Sequence, residues 1–106
     1  MKTRDPVLSR AVDAIVRIAD PEKIILFGSR ATGVHGATSD YDILVLKKGA
    51  TAPRRIAQDI YMGLTGLKAP VDVVVEEAET YERLKNDPYL LYHEASTRGK
   101  VLYEKR

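Results

Sequence analysis

Three short apolar runs constrain this chain more than anything else in it: Lys23-Ile24-Ile25-Leu26-Phe27, Tyr41-Asp42-Ile43-Leu44-Val45-Leu46 and Val71-Asp72-Val73-Val74-Val75. They are too short for core helices and too continuous for strands with one wet face. They read instead as strands buried on both sides. A helical pattern lies between the second and third, and a strand-helix-strand crossover joins parallel neighbours with a right-handed turn. The loop between the first and second, from Gly33 to Ser39, is rich in turn residues and short enough for antiparallel pairing. The expectation is an α/β (α+β) fold with a small mixed β-sheet and helices packed mainly on one face.

The helices follow from spacing and end signals. Asp5-Pro6 supplies a side-chain acceptor at the N-cap and a proline where no amide donor is needed. Leu8, Ala11, Val12, Ile15, Ile18 and Ala19 then recur on one face until Asp20-Pro21. A second helix is expected from a Thr51 cap through Ile56, Ile60, Leu64 and Leu67, closed by Gly66. Glu76 to Leu84 reads as helical. Asn86-Asp87-Pro88 repeats the Asp-Pro opening ahead of a helix from Tyr89 to about Arg98, and Lys100 to Glu104 reads as a closing edge strand. The 106 residues suffice for one domain with a real core, residues 1–106, and not for two.

Chemistry concentrates where these strands meet their loops. Gly28-Ser29 follows the first strand directly, and a short helix from Ser29 to about Thr32 would aim backbone amides at a phosphate. Asp40 and Asp42 enter the second strand on one face, with Tyr41 on the other. Parallel strands share their starting ends, so Asp72 joins the pair. Acids that close repel unless a cation joins them, and magnesium takes one or two carboxylates together with substrate phosphates. A polyphosphate turn beside three convergent carboxylates suits two-metal phosphoryl or nucleotidyl transfer, with Asp40 and Asp42 as shared ligands and Asp72 as second-metal ligand and proton acceptor. The chain carries neither a G-x-x-x-x-G-K-[ST] loop nor a G-x-G-x-x-G turn.

Composition removes other classes. Zero cysteines exclude disulfides, thiolate nucleophiles and Cys-based zinc sites. Seventeen Lys and Arg against fifteen Asp and Glu leave a formal +2, short of a dedicated nucleic-acid binder, and the aromatics form no stacking platform. No apolar run approaches the ~20 residues that cross a bilayer. No membrane association and no direct nucleic-acid binding are expected, and cytoplasmic location is the default. His35 in the Gly-rich loop and His93 in the last helix read as solvated or partly packed.

Gly28-Ser29, ten intervening residues, then Asp40-x-Asp42, with a later Val-Asp-Val at Asp72, resembles the polymerase-beta-type nucleotidyltransferase superfamily, and specifically its minimal nucleotidyltransferase (MNT) branch. The resemblance runs from the first helix to the last strand. It implies that Gly28 and Ser29 bind nucleotide phosphates, that Arg30 touches phosphate, and that Asp40, Asp42 and Asp72 hold two Mg2+ ions. Larger members carry a helical domain that shapes the acceptor site; no residues remain for one here, so another polypeptide would supply it. Small MNT proteins are typically antitoxins of HEPN/MNT toxin-antitoxin pairs. That implies transfer of AMP from ATP to a tyrosine hydroxyl of a HEPN ribonuclease toxin. The alternatives are neutralisation by binding alone, or nucleotidyl transfer to a small molecule such as an aminoglycoside with a helical partner.

Overall fold

Asp5 opens the first helix, α1 (Pro6–Ala19): its extended backbone precedes a proline, and its Oδ1 accepts from the amides of Val7 at 2.9 Å and Leu8 at 3.4 Å. Two otherwise orphaned donors are thereby satisfied. This computed structural model describes residues 5–33, 40–67 and 69–106, so the expected turn at Gly36, Thr38 and Ser39, and His35 with it, lie outside the described residues. Asp20 ends α1 in a left-handed conformation, its amide bonded to the Val16 carbonyl.

Four strands follow the apolar runs: β1 (Lys23–Phe27), β2 (Tyr41–Lys47), β3 (Val71–Glu77) and β4 (Lys100–Glu104). Their order is β3-β2-β1-β4, with β2 and β3 parallel and β1 antiparallel to both β2 and β4. The mixed sheet and the edge position of β4 match the expectation from sequence. Between the strands lie α2 (Ser29–Thr32), α3 (Pro53–Gly63), α4 (Ala78–Leu84) and α5 (Leu91–Arg98).

Alternation along the strands divides the core in two. Ile24, Leu26, Tyr41, Ile43, Val45, Val73 and Val75 face α1 and α3, where Ile15 and Ile60 are fully buried. Ile25, Leu44 and Leu46 face the other way, against Tyr81 of α4 and Ala95 of α5. The larger cluster with the two long helices occupies one face, as expected, and the short helices cover the second. Truncating a fully buried side chain such as Ile43 to Ala costs about 2–5 kcal/mol.

Four boundaries differ from the sequence reading. α3 begins at Pro53 after a non-helical Ala52 rather than at a Thr51 cap, because proline is at home at the first helical position, and it ends at Gly63 rather than near Gly66. β3 continues through Glu76 and Glu77, which pair with Leu46 and Lys47. Glu77 then caps α4, accepting from Glu79 at 2.9 Å and Thr80 at 3.2 Å. The last helix starts at Leu91 rather than Tyr89: Asp87 does accept from the Tyr89 amide at 3.0 Å, but Leu90 is extended. Tyr89 is 94% exposed, so no burial draws that turn into the helix.

Candidate active site

The register of the sheet assembles the site. Phe27 pairs with Asp42 across β1 and β2, and Asp42 with Asp72 across β2 and β3. One line across the sheet thus holds the end of β1 and two of the three acids. Gly28 continues from Phe27 with φ +75° and ψ −158°, a combination that essentially only glycine adopts. A Cβ there would run into the Asp42 carboxylate, so the turn passes directly over that acid. The carbonyl of Gly28 takes the amides of Ala31 and Thr32, which starts α2.

Asp40 lies just before β2 and is exposed, as is Asp72, while Asp42 is half-buried. Desolvation, reinforced by the Asp72, Asp40 and Glu94 charges, pushes the Asp42 carboxyl above the ordinary range. Asp72 is raised by desolvation at the strand end, then by a hydrogen bond with Asp40 and by its charge. A divalent cation between such carboxyls would relieve their mutual repulsion. Among the described residues no three Asp, Glu or His side chains close into a complete metal cage. Magnesium needs none, since it keeps open positions for water and substrate phosphate. Asp42 and Asp72, paired across β2 and β3, are oxygen donors of the hard type and number that such an ion takes.

Two residues of this neighbourhood escaped the sequence. Glu94, on α5, places its charge near Asp42, a relation between distant segments that no local pattern announces. Tyr41 is the other. Its ring is buried on the α1 side of β2, its hydroxyl donates to Asp5 Oδ2 at 2.8 Å, and its amide donates to the Pro70 carbonyl at 2.9 Å. The guanidinium of Arg30 sits 3.9 Å from the centre of that ring. Alternation puts this contact on the side of β2 opposite to Asp42. His93 is half-buried on α5, as expected of a packing residue.

The family model for the polymerase beta nucleotidyltransferase domain matches residues 12–106, nearly all of the structure just described. The chain belongs to that family. It is a nucleotidyltransferase domain. Among solved structures it is similar to a toxin-antitoxin with AMP-PNP, at 26% identity and a TM-score of 0.63 over 91% of this chain and 73% of that one. It shares its fold with a mutant MntA-HpeT toxin-antitoxin, at 24% identity and a TM-score of 0.61 over 90% of this chain and 72% of that one. The same holds for a putative nucleotidyltransferase from Sulfolobus solfataricus, at 21% identity and a TM-score of 0.51 over 91% and 88%. No curated protein sequence matches the chain. Among the described residues no helix is long and apolar enough to cross a membrane.

Proposed function

We propose that this nucleotidyltransferase domain is an antitoxin that transfers AMP from ATP to a tyrosine hydroxyl of a HEPN ribonuclease toxin, with Mg2+ held by Asp40, Asp42 and Asp72. The observation that carries the reading is the pairing of Asp42 with Asp72 beneath the Gly28 turn, with Asp40 immediately before the strand that carries Asp42. A glycine turn beside carboxylates at one sheet edge supports a polyphosphate substrate. The likeness to a toxin-antitoxin with AMP-PNP supports an adenine nucleotide and a toxin partner.

Bound magnesium would supply charge neutralisation along the triphosphate and lower the pKa of the attacking hydroxyl. The chain's own residues account for the rest. Gly28, which has no side chain of its own, and Ser29 lend backbone amides to the phosphates, and Asp42 is held in register below the turn. Asp72, exposed at the start of β3, has room for an acceptor beside it and takes the proton of the tyrosine hydroxyl. The tyrosine oxygen forms a bond to the α-phosphorus as the bond to pyrophosphate breaks, leaving AMP on the tyrosine.

The test is co-expression with the product of the adjacent gene, followed by intact mass of that partner. Wild type should add an adenylyl group, and Asp40→Asn or Asp42→Asn should not. A partner that gains no mass with wild type and is still neutralised by both variants overturns the reading in favour of binding alone. Adenylylation of an aminoglycoside in place of the partner protein would move the acceptor to a small molecule.

A further inference from the structure

The structure assigns Tyr41 as the positioning residue of this site, and assigns Arg30 the task of clamping the Gly28-Ser29 turn onto Tyr41 rather than that of binding phosphate. Three segments meet on this one side chain and its amide. Its ring carries the guanidinium of Arg30, from the first turn of α2. Its amide holds Pro70, two residues before Asp72. Its hydroxyl holds Asp5, whose other oxygen caps α1. Tyr41 itself stands between Asp40 and Asp42. The segments that carry Gly28, Asp40, Asp42 and Asp72 are therefore tied to the same residue from behind.

The sidedness decides the role of Arg30. Tyr41 packs with Ile43 and Val45 toward α1, and Asp42 points the other way. A guanidinium centred 3.9 Å over the Tyr41 ring draws its attraction from the ring face. From there it pins α2, and α2 begins with the turn that crosses Asp42. Loss of the clamp frees the turn to lift away from the acids, which weakens nucleotide binding without removing a ligand. A sequence reading sees only a basic residue next to Gly-Ser; the ring beneath it is eleven positions away and across a loop.

This inference rests on the nucleotidyltransferase reading for its substrate but is testable apart from it. Arg30→Met, Tyr41→Leu and the double variant are compared by urea unfolding in EDTA, which needs no activity, and by titration with Mg2+ and AMP-PNP. The clamp predicts that each single variant weakens AMP-PNP binding by about five- to tenfold, and that the double variant is no weaker than either single one. Tyr41→Phe keeps the ring and should retain near wild-type nucleotide affinity while unfolding at lower urea. If Arg30→Met weakens binding well beyond Tyr41→Leu, and the double variant shows the product of the two effects, Arg30 binds phosphate directly and the assignment fails. If the unfolding effects of Arg30→Met and Tyr41→Leu are additive, the clamp is absent. If the singles couple in unfolding but no form binds AMP-PNP, the clamp stands and the nucleotide reading falls.

Discussion

Replacing Gly28 with alanine probes the closest approach in the site, and its cost separates into two parts. A non-glycine residue at φ +75°, ψ −158° is strained by about 1–3 kcal/mol. The added Cβ also meets the Asp42 carboxylate, and overpacking of this kind costs about 1–3 kcal/mol, toward the lower end here because the obstacle is a half-exposed side chain rather than backbone. Together these predict a loss of about 3 kcal/mol, which for a domain near 100 residues lowers Tm by roughly 12 °C or more. Urea unfolding followed by circular dichroism in EDTA measures it. Gly33→Ala is the control, since Gly33 has φ +84° and ψ 0° with no described atom within 4 Å of an added Cβ, so only left-handed strain of about 1 kcal/mol applies. Adding Asp42→Ala to Gly28→Ala should recover about 1 kcal/mol, the contact part, and leave the strain in place. The reasoning is refuted if Gly28→Ala costs no more than Gly33→Ala, or if removing the Asp42 side chain recovers nothing.

Asp42→Asn should stabilise the metal-free protein, because it removes a charge that desolvation and three neighbouring carboxylates disfavour; a fall in Tm in EDTA would show that the acid is structural instead. The same raised carboxyls fix the sign of the pH dependence: the fold binds their protons more tightly than the unfolded chain, so their contribution rises as pH falls through the folded values toward the ordinary 3.8, and a metal-free Tm that drops on going from pH 7 to pH 5 in wild type but not in Asp42→Asn contradicts it. At the other end of the scale, burial and the hydrogen bond to Glu76 push the Tyr92 hydroxyl up to about 12 from 10.0. Stability from that group is complete below pH 10 and is lost as pH rises toward 12, so Tyr92→Phe should start less stable at pH 8 and narrow the gap by pH 11. A gap that widens with pH in urea unfolding would show that Tyr92 does not ionise in this way.

The parts of the fold legible in the sequence were those written locally. Lys23–Phe27 is an unbroken apolar run, and Asp5-Pro6 is a complete helix start; both appear in the structure as read. Parallel pairing of β2 with β3 followed from one helix between them, and with it the meeting of Asp42 and Asp72. Asp87-Pro88 shows where local signals stop being sufficient. The cap hydrogen bond forms, but Tyr89, Leu90 and Leu91 find no core, and the helix waits until Tyr92 and Ala95 reach one. Glu76 and Glu77 fail for the opposite reason, since two polar residues with helical propensity are held extended by their partners Leu46 and Lys47. The ties of Tyr41 to Asp5, Arg30 and Pro70 were illegible because each joins segments far apart in the chain, and a lone tyrosine in an apolar strand reads as packing.

The double duty of the Asp5 carboxylate bears on how the protein should be handled. Through Tyr41 it fastens the beginning of α1 beside the acid-bearing edge, whereas β4 runs away from that edge and ends opposite Lys23, at the start of β1. An affinity tag or surface tether joined ahead of Asp5 starts from the rim of the sheet that bears the acids. One joined after Glu104 points to the far rim, so immobilisation from that end presents the acids to solution and is the orientation in which partner and nucleotide binding should be measured.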